Sequence, residues 1–158
     1  MNEGLKIIFM GTPEFAQGVL AQILESEHDV LAVVTAPDRP AGRGQKLKQS
    51  AVKIYSESKN IAVLQPERLR EEAFTEALKQ YNADLFVVVA FRMLPEIVWS
   101  LPSKGTINLH ASLLPNYRGA APINWAIMNG EKSSGVTTFF INEKIDTGDI
   151  IKRRRVNI

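Results

Sequence analysis

The chain has 158 residues, 45% of them hydrophobic and 23% charged, with a formal net charge of +2 and no cysteine. That is the length of one globular domain, enough to bury roughly 70% of the unfolded surface. Disulfides and thiolate chemistry are excluded, and so is a polyanionic partner argued from net charge alone.

The longest apolar run, Leu85 to Phe91, falls far short of the ~20 residues that cross a bilayer, so no membrane span is expected. Met1-Asn2-Glu3-Gly4 has no basic segment leading into an apolar one. No secretory leader is therefore expected, and a reducing, cytoplasmic setting fits.

Leu5 to Met10 is apolar apart from Lys6 and reads as a buried first strand. Gly11-Thr12-Pro13-Glu14 then supplies a turn, a helix cap at Thr12, proline at the first helical position and an early acid. Phe15, Ala16, Val19, Leu20, Ile23 and Leu24 recur at helical spacing, predicting a helix to about Ser26. Val30 to Thr35 is a second strand, and strand–helix–strand order implies a right-handed parallel crossover. The turn lacks the second and third glycines of a dinucleotide fingerprint, so a well-made helix start is the stronger reading. His28, between acids at the helix end, reads as a surface residue.

Ala36 to Lys48 carries two prolines, two glycines and the cations Arg39, Arg43, Lys46 and Lys48. It is expected to lack regular structure. Loops this long are usually mobile or functional, and composition leaves a solvated loop and a phosphate-contacting arm equally open. Ser50 to Lys59 reads as a helix with Val52, Ile54 and Tyr55 inward, Ile61 to Leu64 as a short strand, and Pro66 to Gln80 as a second amphipathic helix through Leu69, Phe74 and Leu78. Asp84 to Ala90 is the most hydrophobic segment, a central parallel strand. Ligands of open α/β sheets bind beyond the carboxyl ends of strands, so Phe91-Arg92-Met93-Leu94 is where a binding loop is expected. Arg92 could instead snorkel at the surface.

Pro95 to Leu101 gives one or two helical turns, and Thr106 to His110 a short strand. Tyr117 to Pro122 crosses a small-residue loop, and Ile123 to Met128 forms a helix closed by Asn129-Gly130. Gly135 to Ile141 and Asp149 to Val156 read as a hairpin around Asp146-Thr147-Gly148, with Lys152 to Arg155 as a solvated strand edge. The fold class is α/β, Rossmann-like: a mostly parallel sheet with helices on both faces and an antiparallel hairpin near the C-terminus.

The chemistry concentrates late in the chain. Side chains two apart on a strand share a face, so Asn108 and His110 project together. An amide that donates and accepts, beside an imidazole that carries a proton near neutrality, suits work on a carbonyl. Asp146 adds a carboxylate on a turn. A single strand histidine is more often packed than catalytic; it is the combination that points to catalysis. Asp146-Thr147-Gly148 also matches the aspartic-protease triplet, but that chemistry needs two facing copies and the chain has one. No residue cluster has metal-ligand spacing.

These motifs resemble the catalytic domain of the 10-formyltetrahydrofolate-dependent formyltransferases. The resemblance rests on Phe9 to Ala16, Pro37 to Lys48, Asn108 to Pro115, Tyr117 to Ile123 and Asp146 to Asp149. Asn-x-His with Ser-Leu-Leu-Pro marks the family. Gly-Thr-Pro and Pro-Asp-Arg-Pro-Ala-Gly-Arg-Gly point to its branch acting on methionyl-tRNA. The resemblance implies a catalytic trio of Asn108, His110 and Asp146. It implies folate contacts by Ser112, Leu113, Leu114 and Pro115 and by Phe91, Arg92, Met93 and Leu94, and initiator-tRNA contacts by Arg39, Arg43, Lys46 and Lys48. The loop after the central strand departs from the family by one missing residue and a missing glycine.

The implied activity is formyl transfer from 10-formyltetrahydrofolate to methionyl-tRNA, without a metal, by a monomer. The family's C-terminal β-barrel domain is expected to be absent from residues 1–158, which read as the catalytic domain. A transferase acting on an amino sugar nucleotide or glycinamide ribonucleotide is the nearest alternative. A folate- or RNA-binding module without turnover is the other.

Overall fold

The structure, a computed structural model, describes residues 3–158; Met1 and Asn2, part of the opening segment read for a leader, lie outside the described residues. Two compact units are present, one ending at Gly105 and the other Thr106–Ile158.

In the first unit, β1 (Lys6–Gly11), β2 (Asp29–Val34), β5 (Ala62–Leu64) and β6 (Leu85–Val89) form parallel pairs in the order β5-β2-β1-β6. Ile8, Phe9, Met10, Val33, Val34 and Val89 are fully buried, which is why these segments read as continuous apolar runs rather than alternating ones. Helices α1 (Glu14–Leu24), α2 (Ala51–Ser58), α3 (Glu72–Gln80) and the short α4 (Glu96–Trp99) connect them. Ala16 and Leu20 are the buried positions of α1, and Phe74, Thr75 and Leu78 those of α3.

Several boundaries differ from the sequence reading. Pro13, not Thr12, occupies the cap of α1, without a side-chain hydrogen bond. The helix expected from Pro66 begins only at Glu72, because Pro66 to Glu71 remain non-helical with Leu69 buried. Ile54 of α2 is exposed rather than inward; the buried positions are Val52 and Ser56. The basic segment is not irregular. Arg39–Ala41 (β3) and Lys46–Lys48 (β4) pair antiparallel, and Gly42, Gly44 and Gln45 take the positive φ values that reverse the chain. Glycine there makes the tight reversal inexpensive, and Pro40 is tolerated because the hairpin has open edges.

His28 is not simply a surface group: its Nδ1 accepts the Leu5 N–H at 3.0 Å and pins the chain just before β1. No helix among the described residues is long and apolar enough to cross a membrane.

In the second unit, β7 (Thr106–His110), β8 (Ser133–Phe140) and β9 (Ile150–Asn157) form consecutive antiparallel pairs. Helix α5 (Pro122–Met128) ends on Asn129 with Gly130 at φ 73°, as the Asn-Gly signal predicts. The fold is Rossmann-like, mostly parallel, with the antiparallel hairpin near the C-terminus that the sequence pattern implied.

Candidate active site

Strand β7 delivers the first two members of the trio. Asn108 pairs with Phe139 and His110 with Thr137, so both lie on the face that β8 buries through Thr137 and Phe139. His110 is buried, while Asn108 is half-buried. Among the described residues the Asn108 side chain makes no hydrogen bond, which leaves its amide free for a ligand.

The imidazole is held on one edge. His110 Nε2 lies 2.8 Å from the Tyr117 carbonyl oxygen. A carbonyl only accepts, so Nε2 carries a hydrogen, and Nδ1 is the basic position of the neutral ring. Nδ1 faces Asp146 Oδ2 at 3.7 Å. That is too long for a hydrogen bond but short enough for an ion pair once the ring is protonated. The two side chains are only 9% and 10% exposed, so a charge on either would be poorly screened.

Asp146 itself sits at φ 50°, and its Oδ2 accepts the Gly119 N–H at 2.9 Å. Arg118 Nε donates to the Asp146 carbonyl oxygen at 3.2 Å. Two residues on, a Cβ at Gly148 would fall 1.5 Å from the Phe140 carbonyl oxygen, so only glycine lets this turn close against β8. The arrangement can therefore hold a protonated imidazole beside a carboxylate, with a free amide on the same strand face.

Ser112 to Pro115 follows directly. The Ser112 hydroxyl is fully buried and donates to the Asn116 carbonyl at 2.6 Å; the Thr137 hydroxyl donates to the Ser112 carbonyl at 2.7 Å and accepts the Leu114 N–H at 3.1 Å. Leu114 is buried, and the Leu114–Pro115 peptide is cis. Ser112 and Leu114 thus shape the segment from inside, while Pro115 is exposed and Leu113 half-buried.

In the first unit, Phe91 to Leu94 lies beyond the carboxyl end of β6 as expected. Arg92 does not snorkel. Its Nη2 and Nη1 donate to the Pro66 and Glu67 carbonyls at 2.8 and 3.1 Å, leaving Nε buried without a partner among the described residues. Burial first, then the charge of Arg39, holds this guanidinium below its ordinary pKa. Arg92, Met93, Leu94 and Pro95 line an open cavity of about 430 Å³ together with Arg68, Leu69 and Arg70. On the basic hairpin, Arg39 makes a long, exposed pair with Glu67 at 3.4 Å, and Arg43, Lys46 and Lys48 are exposed without a carboxylate partner among the described residues.

Sequence reasoning missed the supports of the trio: the Tyr117 carbonyl, the Gly119 N–H and the Thr137 hydroxyl. Backbone groups carry no residue-type signal, and Thr137 looked like an ordinary strand residue. Tyr117-Arg118-Gly119 was visible as a motif, but its job was not. Among the described residues no group of three or more His, Asp or Glu residues has metal-holding geometry.

Residues 5–158 match the family model described as formyl transferase. The chain belongs to the formyl transferase family. It is 62% identical over 156 residues to a methionyl-tRNA formyltransferase of Flavobacterium johnsoniae, covering 99% of this chain and 50% of that protein. It is 56% identical to one of Bacteroides thetaiotaomicron, with 99% and 49% covered. The chain thus spans about half the length of these curated relatives. Among solved structures, a phosphoribosylglycinamide formyltransferase from Bacillus halodurans superposes with a TM-score of 0.79 at 20% identity, covering 97% of this chain and 80% of that one. A formyltetrahydrofolate deformylase from Pseudomonas syringae gives 0.73 at 20%, with 99% and 52% covered. At that identity these two speak to the fold.

Proposed function

We propose that this chain transfers the formyl group of 10-formyltetrahydrofolate to the α-amino group of methionyl-tRNA. The observation that carries the reading is the His110–Asp146 pair, anchored by Tyr117 and Gly119, with the Asn108 amide unengaged on the same face. The names of relatives at 62% and 56% identity supply the acceptor.

The amine attacks the formyl carbon, forming a C–N bond and an oxyanion. Preorganised donors at such an oxyanion are worth about 10²–10³ in rate each. The Asn108 amide N–H and protonated His110 fill that role. Tyr117 occupies Nε2, and Nδ1, on the edge facing Asp146, is too far from the carboxylate for a hydrogen bond at 3.7 Å, so Nδ1–H is the proton left to donate to the oxyanion beside that pair. Asp146 stabilises the imidazolium, and its second oxygen, not used by Gly119, accepts a proton from the attacking amine. Collapse breaks the bond from the formyl carbon to the folate nitrogen, which takes up the proton that Asp146 received from the amine and leaves the carboxylate as it began. No step requires a metal.

Ser112 to Pro115 and Phe91 to Leu94 are assigned folate contacts, and Arg39, Arg43, Lys46 and Lys48 contacts to tRNA phosphates. The hairpin's exposed cations favour a polyanionic acceptor over a small one. The setting is cytoplasmic and the working form a monomer. The test is a panel of acceptors: methionyl-tRNA, glycinamide ribonucleotide and an amino sugar nucleotide, each with formyl-folate as donor. Formylation of methionyl-tRNA alone is expected. Preference for either small acceptor overturns the assignment, and folate binding without transfer to any acceptor overturns catalysis.

A further inference from the structure

All eight residues of β9 are exposed, and four consecutive ones, Lys152 to Arg155, are cations. Among the described residues none of the four pairs with a carboxylate; Arg155 Nη1 donates to the Ser133 hydroxyl at 3.2 Å. Successive strand residues point to opposite faces, so the run puts two unpaired cations on each face, two residues apart.

The register divides these cations into two pairs. Directly opposed residues of an antiparallel ladder share a face. His110 pairs with Thr137 and Thr137 with Arg153, so His110, Thr137 and Arg153 form one row across β7, β8 and β9. With strands ≈ 4.8 Å apart, the Arg153 backbone lies about 10 Å from that of His110, on the face His110 uses. Arg155 pairs with Gly135, one step further along the same face. Lys152 and Arg154 pair with Thr138 and Val136 and lie on the other face. Ser112 to Pro115 covers β8 on the His110 face, its carbonyl and N–H groups bound to Thr137 and Leu113 packed where a Gly135 Cβ would stand. Arg153 and Arg155 therefore border that segment on its outer side.

We infer that Arg153 and Arg155 form a phosphate-binding ladder that holds the RNA strand whose aminoacylated end is presented to His110. This rests on the acceptor proposed above and names a further contact surface for it. Residues two apart on a strand repeat every ~6.7 Å, close to the separation of successive phosphates along one nucleic-acid strand. A guanidinium fork matches a phosphate with two parallel hydrogen bonds, which a lysine cannot do.

The opposite face supplies the control. Arg153→Ala/Arg155→Ala and Lys152→Ala/Arg154→Ala remove the same charge from the same strand, on different faces. All four side chains are exposed, so both doubles should melt like the parent. Methionyl-tRNA binding is measured against salt concentration, and steady-state formyl transfer beside it. The first double should lower the log–log salt slope by about 1.4–1.8 and raise KM for methionyl-tRNA roughly 10-fold, with little change in kcat. The second double should shift both quantities by less than half as much.

Equal effects from the two doubles would mean non-directional attraction and overturn the ladder; so would no effect from the first. A fall in kcat alone would also refute phosphate binding. If the parent chain formylates another acceptor and neither binds nor formylates methionyl-tRNA, the acceptor assignment fails and the ladder with it. That outcome is distinguishable, because it appears before any variant is made.

Discussion

Thr137 is the residue whose replacement should reveal most about how the site is held. Its hydroxyl is fully buried, donates to the Ser112 carbonyl at 2.7 Å and accepts the Leu114 N–H at 3.1 Å. Thr137→Val keeps the shape and strands both backbone groups away from water. An unsatisfied buried polar group costs about 1–3 kcal/mol, so the pair should cost about 2–4 kcal/mol after the gain from burying a methyl in place of the hydroxyl. For a chain of this size that is a fall of roughly 5–15 °C in melting temperature. Thr137→Ser keeps the hydroxyl and loses one buried methyl, about 1 kcal/mol. The neighbouring Thr138, whose hydroxyl makes only a long 3.4 Å contact to the Lys152 carbonyl on the other face, is the reference. Thr138→Val should stay within about 0.5 kcal/mol of the parent. Thermal melts and urea unfolding of the three variants decide the matter. Formyl transfer by Thr137→Val should also fall, since Ser112 to Pro115 loses its tether beside His110. If Thr137→Val melts with Thr138→Val, the hydroxyl does not hold the segment and the argument for its role collapses.

His110→Ala and Asp146→Asn should each lower turnover by roughly 10²-fold or more while the chain still folds, because these groups act on the transition state. His110→Ala should also melt somewhat lower, since it empties a buried site and unpairs the Tyr117 carbonyl; near-parental turnover in either variant removes the trio from the mechanism. Gly148→Ala must push a Cβ away from the Phe140 carbonyl oxygen, 1.5 Å from its ideal position, so both melting temperature and turnover should drop; parental values in both assays would contradict the close approach. Asp38 is held below its ordinary carboxyl value of 3.8, first by the hydrogen bond from Lys53 and then by that from Gln65. Its folded pKa being the lower one, the stabilisation is complete above pH 3.8 and is lost as pH falls through the folded value. Lys53→Met should therefore be less stable than the parent at neutral pH, with the difference shrinking at acid pH; a gap that does not shrink would mean that Asp38 ionisation is not its source.

The parallel strands were legible because burial on both faces leaves an uninterrupted apolar run, as in Ile7 to Met10 and Phe86 to Val89. Period-2 spacing placed Asn108 and His110 on one face correctly, since β7 is a regular ladder partner of β8. The helix expected from Pro66 failed because an apolar residue at helical spacing, Leu69, is buried from a non-helical segment. Spacing alone does not distinguish the two. The basic hairpin was missed for a related reason. Proline and glycine argue against regular structure in general, yet Gly42 and Gly44 make a reversal and the three-residue strands beside it need only a few hydrogen bonds. The contact from the Leu5 N–H to His28 was invisible because the residues are far apart in sequence and one partner is backbone.

What no residue pattern announces is the backbone conformation that aims the site. Asn60 and Asn82 take positive φ just past the C-caps of α2 and α3, where asparagine is at ease. Tyr117, Ala121 and Asp146 also take positive φ, at 53°, 53° and 50°, and two of these three gain nothing from a short polar side chain. Each such residue costs of order 1–3 kcal/mol unless its surroundings impose it. The surroundings here are identifiable. Tyr117 offers its carbonyl to His110, and its hydroxyl is tied by Glu131 at 2.7 Å and Asn129 at 3.1 Å. Ala121 immediately precedes Pro122, where α5 begins, and Asp146 is gripped from both sides by Arg118 and Gly119. Tyr117 and Asp146 therefore sit strained where His110 is oriented, their cost met by contacts that exist only when those loops are correctly placed, whereas Ala90, at φ 49° just after β6, is a strained position elsewhere. A His110–Asp146 pair separated by 3.7 Å depends on loop backbones holding their place, and in this chain that is the work of residues chosen for what they bind rather than for the conformation they prefer.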